Sequence, residues 1–135
     1  MNELYDQLVM KSGATEQAIN GMLELLGTPL PEDYLDFLRK SNGCIGKGPD
    51  LFVILDPAEK VYAFTVGYGT NKSINGLVVI GGDGCGNIIG IDARSRDPKT
   101  MAFVVVDSVW LDLDSESCQY RSLTFDGILK CLASV

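Results

Sequence analysis

The sequence contains no histidine among its 135 residues. This absence excludes Ser-His-Asp and Cys-His catalytic arrangements and removes every imidazole metal ligand. Any acid–base chemistry would have to depend on carboxylates or lysine instead. The remaining motifs supply no catalytic constellation, so we predict a protein that is not an enzyme and has no cofactor or metal.

Paired cysteines and long apolar runs are also missing. The four cysteines include no C-x-x-C pair, and without an export signal we expect free thiols rather than disulfides. No apolar run approaches the ~20 residues that a membrane-spanning helix needs. Near the start Glu3 stands where a secretory signal would carry a basic residue. These features predict a soluble, cytoplasmic protein.

Basic residues are scarce: 11 Lys and Arg stand against 18 Asp and Glu, for a formal net charge of −7. A phosphate backbone repels such a charge, so direct nucleic-acid binding is disfavoured. A basic protein surface would be attracted. Solubility alone is the other explanation of this charge, and composition does not separate the two.

Helical signals dominate both ends of the sequence. Leu4, Tyr5, Leu8 and Val9 predict a short first helix, and a second is expected after Thr15 as N-cap. Gly27 should end the second helix in left-handed geometry.

A third helix is predicted to start with Pro31 at its first position and to stop at Asn42-Gly43. Its apolar stripe should consist of Tyr34, Phe37 and Leu38. A final helix should follow Thr124.

Between these helices, β-branched and aromatic runs predict strands. The predicted strands cover residues 51–55, 61–66, 77–80, 87–92, 101–106 and 109–113, with 119–121 as a further candidate. The connections are too short for repeated helical crossovers, so the sheet should be mainly antiparallel. We predict a single α+β domain over residues 1–135, with about six strands flanked by N-terminal helices and a C-terminal helix.

Two segments resemble ligand loops without fulfilling their requirements. The glycine-rich run 81–86 does not fit G-x-G-x-x-G and leads into a predicted strand rather than a helix, so tight-turn glycines are favoured. Residues 112–116 resemble the opening of a calcium loop but lack its glycine and its closing glutamate. Asp83, Asp92 and Asp107 could approach one another in a sheet, although separate turn residues are the default.

An ordered set of motifs nevertheless resembles a known family. The segment LPEDYLDFL at 30–38, followed by SNG at 41–43, is similar to the LPxDYxxFLxxxNG helix of the SUKH superfamily. VIGGDGCGN at 79–87 is similar to the central glycine-rich hairpin of that superfamily, and SLTFDGIL at 122–129 to its closing helix. The order and spacing agree from about residue 15 to residue 132.

The resemblance implies an α+β fold with a mainly antiparallel sheet and a non-enzymatic role. Bacterial members of the superfamily include immunity proteins that bind and neutralise a cognate toxin domain, often a nuclease, and fungal relatives act in cell-wall regulation. The leading hypothesis is therefore an immunity protein whose partner is a toxin with a basic domain. The candidate partner-binding residues are Asp83, Asn87, Asp92, Asp112 and Asp114.

Two further hypotheses remain open. One is a regulatory or scaffolding interaction module without a toxin partner. The other is a small-molecule binder, or a carboxylate-dependent enzyme, that uses the glycine-rich hairpin. This last hypothesis predicts a concave pocket with converging polar groups and shifted titrations, whereas a filled core beneath the hairpin would argue against it.

Overall fold

The computed structural model describes residues 7–46, 52–69, 76–108, 113 and 118–133. Within them the order of elements is β1 (Leu8–Met10), α1 (Glu16–Leu26), α2 (Glu32–Lys40), β2 (Cys44–Gly46), β3 (Ile54–Leu55), α3 (Ala58–Gly69), β4 (Leu77–Gly82), β5 (Asn87–Asp92), β6 (Ala102–Asp107), β7 (Cys118–Ser122) and α4 (Phe125–Ala133). The described strands form one sheet in sequence order, and every neighbouring pair is antiparallel. The predicted α+β class is confirmed, with seven strands instead of about six.

Helices α1, α2 and α4 form at the predicted places, and local side-chain caps define the starts of α1 and α4. The Thr15 hydroxyl accepts a hydrogen bond from the Ala18 amide at 3.1 Å, and Gly27 ends α1 with φ 69°. The Thr124 hydroxyl accepts from the Gly127 amide at 3.0 Å at the start of α4. Helix α2 begins at Glu32, so Pro31 is its N-cap residue rather than its first helical residue.

Two predictions of secondary structure are wrong, and one strand was missed. Residues 61–66 belong to α3, although their β-branched and aromatic composition predicts a strand. Leu8 and Val9 lie in β1 rather than in a first helix; Leu4 and Tyr5 lie outside the described residues. Strand β2 was not predicted at all. Of the predicted strand 109–113, only Leu113 is described, and it is a buried turn residue.

The remaining strand predictions agree with the structure to within one or two residues, except in the first predicted strand. Strand β5 has the predicted bounds, while β4, β6 and β7 differ slightly at their ends. Of the predicted strand 51–55, only Ile54 and Leu55 form a strand, β3. Phe52 and Val53 precede the pairing with β4, and Leu51 lies outside the described residues.

The main core lies between one face of the sheet and the helices. Four aromatic rings meet there, from Tyr34 and Phe37 of α2, Phe103 of β6 and Phe125 of α4. The ring centroids of Phe37 and Phe125 are 4.7 Å apart, and those of Phe103 and Phe125 are 5.6 Å apart. Burial of each such ring contributes about 2–3 kcal/mol, so this cluster fixes α2 and α4 on the sheet.

Helix α3 covers an edge of β4 that strand pairing leaves free. Strand β3 pairs with β4 only at Gly81 and Gly82, so among the described residues the earlier part of β4 has no strand partner on that side. The Thr65 hydroxyl of α3 accepts a hydrogen bond from the Val79 amide at 2.9 Å. Covering an edge with a helix in this way prevents pairing with another chain. None of the helices in the described part of the chain is long and apolar enough to cross a membrane.

Candidate protein-binding site

The glycine-rich segment forms the turn of the β4–β5 hairpin. The Asp83 carboxylate accepts hydrogen bonds from the amides of Cys85 at 2.8 Å and Asn87 at 3.1 Å, and from the Asn87 side chain at 2.8 Å. Gly84 and Gly86 have φ values of 74° and 92°, which favour glycine. The tight-turn interpretation is confirmed, and Asp83 and Asn87 are brought together within it.

Asn87 also connects the hairpin to the far strand of the sheet. Its side-chain oxygen accepts a hydrogen bond from the Gln119 amide group of β7 at 2.8 Å. Asp83 therefore orients Asn87, and Asn87 in turn holds Gln119. This polar network shapes the turn, and its role in partner binding stays a prediction.

Asp92 lies at the opposite end of β5 from this turn. Its carboxylate accepts hydrogen bonds from Arg94 at 2.8 Å and from Arg121 at 3.0 Å, and the residue is only 8% exposed. Burial raises the pKa of Asp92, but the bonds from both guanidinium groups outweigh that effect and hold the pKa below its ordinary value. Asp92 thus acts as the centre of an ion-pair network at the sheet.

The five candidate binding residues do not form one described surface. Asp107 pairs in register with Asn87 while Asp92 pairs with Ala102, so Asp83, Asp92 and Asp107 are not a single carboxylate cluster. Asp112 and Asp114 lie outside the described residues. Within the described ranges no group of three or more acidic or cysteine side chains is arranged to hold a metal ion. All four cysteines are described, and each is a free thiol.

A row of exposed aliphatic side chains crosses the first three strands. Val9 pairs with Ile45 in register, and Ile45 pairs with Ile54. These side chains are 47%, 45% and 50% exposed, although their strand neighbours Cys44 and Leu55 are fully buried in the main core. Because strand side chains alternate between the faces, the row lies on the face of the sheet opposite that core. Single exposed apolar residues are ordinary, whereas a contiguous row is a candidate binding surface.

On β4, β5 and β6 the same face is buried. A second buried cluster there includes Val79, Ile88, Val104 and Val106, and Leu113 packs against it. The Arg121 guanidinium donates a hydrogen bond to the Leu113 carbonyl at 3.2 Å, which holds Leu113 in place. The open part of the face is therefore the part formed by β1, β2 and β3.

Helix α3 extends this apolar surface toward the hairpin. Its residues are apolar almost all round, as is usual for a buried helix, yet Tyr62, Phe64, Val66 and Tyr68 are between 38% and 46% exposed. Phe64 and Tyr68 line a cleft that Ile54 also lines. We define the open face as Val9, Ile45, Ile54, Phe64 and Tyr68.

The cleft has a volume of about 310 Å³ and lies between β3, α3 and the hairpin. The described lining residues are Ile54, Asp56, Phe64, Tyr68, Val79, Gly81, Gly82, Gly84, Gly86, Asn87, Ile88 and Ser108. The small-molecule hypothesis predicted such a concavity beside the hairpin. The described lining contains a single carboxylate, that of Asp56, and no basic side chain.

Asp56 follows β3 and is half-buried at the cleft. Burial raises its pKa to about 6, and Lys11 opposes the shift only partly. Among the described residues no hydrogen-bond donor or cation contacts its carboxylate; only its backbone amide is bonded, to Ile80. Sequence analysis did not identify Asp56 as a functional residue, because an Asp-Pro pair is typical of a turn.

A second concavity lies on the helical side, between α2 and α4. It has a volume of about 440 Å³ and includes Asp33, Asp36 and Asp126 together with Lys40. The Asp33 carboxylate accepts from the Phe125 amide at 2.8 Å, and the Asp36 carboxylate accepts from Arg39 at 2.7 Å. These two carboxylates therefore stabilise the helices.

The fold is an α+β domain with an exposed apolar surface, the open face, on one side of its sheet. The family model of the SMI1 / KNR4 family (SUKH-1) matches residues 13–130. Because this match spans most of the 135 residues, the chain belongs to that family. Membership supports a protein of the toxin-immunity or SMI1 / KNR4 type in general, with a protein as its partner. No curated protein matches the chain.

Proposed function

We propose that the chain is an immunity protein that neutralises a cognate bacterial toxin by binding it directly. The observation that carries the proposal is the open face, an exposed apolar surface on a member of the SMI1 / KNR4 family. The core of a protein–protein interface is apolar, with aromatic residues enriched. Phe64 and Tyr68 beside Ile45 and Ile54 give the open face this composition.

Charge supports a basic toxin, of which a nuclease is one kind. Nucleases hold phosphates with basic side chains, and a chain with net charge −7 attracts such a surface over long range. Apolar contacts at the open face would then determine how long the complex lasts, while charge would govern how fast it forms. Association that does not respond to salt would contradict the electrostatic part of the proposal.

Neutralisation requires no chemistry from this chain. Occlusion of the toxin's active face suffices, and the cleft supplies one carboxylate without a second acid, base or nucleophilic cysteine among its described lining residues. We therefore propose a non-enzymatic role in the cytoplasm, where the partner would be met before it acts.

The test begins with capture of the tagged chain from its native cells and identification of co-purifying proteins by mass spectrometry. Each recovered domain is then expressed alone and together with the chain. A domain that arrests growth alone, but not with the chain present, supports the proposal. Partners that are harmless alone, or whose toxicity the chain leaves unchanged, contradict it.

The alternative is a regulatory or scaffolding module of the cell-wall-regulator type, which the family match allows equally. The same open face would serve it, since apolar docking surfaces are not specific to toxins. Recovery of non-toxic signalling or cell-wall proteins that bind through the open face would favour this alternative.

A further inference from the structure

The Asp56 carboxylate is half-buried, and none of the described residues forms an ion pair with it. The described residues around it in the cleft are aliphatic, aromatic, glycine or neutral polar. Lys11 lowers the pKa of Asp56, and Asp56 in turn raises the pKa of the buried Tyr34 hydroxyl. Taking a carboxylate partly out of water is unfavourable unless a cation or hydrogen-bond donors replace the lost water. The unbound protein carries this cost, and a bound cation would remove it.

The walls of the cleft suit a particular cation. Phe64 and Tyr68 present aromatic rings that are 42% and 38% exposed, and Ile54 adds an aliphatic surface. A guanidinium group stacks on aromatic faces and pairs with a carboxylate through two parallel hydrogen bonds, whereas its aliphatic stem packs against apolar side chains. A volume of about 310 Å³ is at the small end for ligand pockets, which suits one side chain.

We propose that this cleft receives an arginine side chain of the protein partner, with its guanidinium group paired to Asp56 and stacked against Phe64 or Tyr68. This inference rests on the proposed function, because a toxin domain that binds phosphate presents arginine on its surface. The open face then combines an apolar row for contact area with one charged anchor for specificity. Anchors of this kind, arginine among them, carry most of the energy of many interfaces.

A small probe tests the cleft without the partner. Isotope-labelled protein is titrated by NMR with N-acetyl-arginine amide and, in parallel, with N-acetyl-citrulline amide, the uncharged analogue of the same shape. We expect saturable shifts of the Gly82, Gly84 and Asn87 signals with arginine and much smaller shifts with citrulline. The shifts with arginine should be lost in Asp56→Asn and kept in Glu24→Gln, a matched neutralisation of an exposed carboxylate on α1. Equal shifts with both probes, no shifts at all, or shifts that survive Asp56→Asn would overturn the inference.

The partner gives a second test that separates this inference from the proposed function. With a toxin domain in hand, Asp56→Asn should weaken binding about 10-fold, because the pair is only partly buried, and Glu24→Gln should leave affinity unchanged. If Asp56→Asn still rescues growth and binds the toxin with unchanged affinity, the arginine anchor is overturned and the immunity proposal stands. A positive arginine titration, together with recovered partners that are harmless alone, contradicts the toxin proposal and leaves the arginine anchor standing.

Discussion

The side chain of Asn42, which follows α2, caps the start of α3. Its Oδ1 accepts a hydrogen bond from the Ala58 amide at 2.7 Å, and its Nδ2 donates to Glu59 Oε1 at 2.7 Å. The second bond is the main reason that the pKa of Glu59 lies below its ordinary value. The cap comes from a residue 16 positions earlier in the chain, so α3 depends on the packing of the N-terminal half.

Removing this cap should destabilise the protein. Asn42→Ala leaves the Ala58 amide without its acceptor, and we expect a loss of about 1–2 kcal/mol in the free energy of unfolding. Urea denaturation measures the loss. Asn20→Ala, on the exposed side of α1, is the control and should be neutral or slightly stabilising. Equal effects of the two substitutions would show that Asn42 does not act as a cap.

Neutralising Asp56 should stabilise the protein at neutral pH. Its pKa is about 6 in the folded protein against 3.8 ordinarily, so between these values the folded state binds more protons. The contribution of the group to stability is therefore present below the ordinary pKa and is lost as pH rises through about 6. We expect Asp56→Asn to gain about 1 kcal/mol at about pH 8, allowing for solvent screening, and nothing at about pH 4.

Urea denaturation at the two pH values measures this difference, with Glu24→Gln as the control. Glu24 is exposed, and its substitution should change stability by less than about 0.5 kcal/mol at either pH. A loss of stability in Asp56→Asn at neutral pH would mean that the carboxylate has a stabilising partner in the folded protein.

A positive charge in the open face should weaken partner binding without unfolding the chain. Ile54 is 50% exposed, so Ile54→Lys can keep its head group in water and should cost less than about 1 kcal/mol of stability. We expect at least about a 10-fold loss of affinity for the captured partner, with loss of growth rescue.

The matched control for this substitution is Leu25→Lys. Leu25 is 62% exposed on α1, away from the open face, and its replacement adds the same charge to the chain. Thermal unfolding confirms that both variants fold. If Ile54→Lys and Leu25→Lys bind equally well, the partner contacts another surface.

The ion pair of Arg121 with Asp92 should contribute measurably to stability. Arg121→Met removes one of the two guanidinium partners of Asp92 and the donor to the Leu113 carbonyl, and we expect a loss of about 1–2 kcal/mol at neutral pH. The pKa of Asp92 lies below its ordinary 3.8, so the stabilisation is present above that value and disappears as pH falls through the lowered folded pKa.

The difference between Arg121→Met and the parent chain should therefore shrink in strong acid, which chemical denaturation across a pH series would show. Lys99→Met removes one positive charge from an exposed turn and is the control, with an expected change below about 0.5 kcal/mol. A loss that does not depend on pH would assign the effect of Arg121 to packing rather than to its pairing with Asp92.

Sequence by itself determined the elements whose signals are local. Thr15 and Gly27 bound α1, Thr124 begins α4, and the hydrophobic runs of β4, β5 and β6 are separated by turn residues. Caps and turns act within a few residues, so their chemistry can be recognised without knowing the rest of the fold. The motif order was sufficient to identify the family and the α+β class.

Only the tertiary structure decided what depends on distant partners. Residues 61–66 have strand-like composition, yet two distant contacts favour a helix there. Asn42 caps the start of α3, and Thr65 bonds to the edge of β4. The open face exists because Val9, Ile45 and Ile54 come from separate strands in register. The raised pKa of Asp56 likewise arises from burial, which comes only with the assembled sheet. Strand pairing and burial are non-local, and no spacing along the chain encodes them directly.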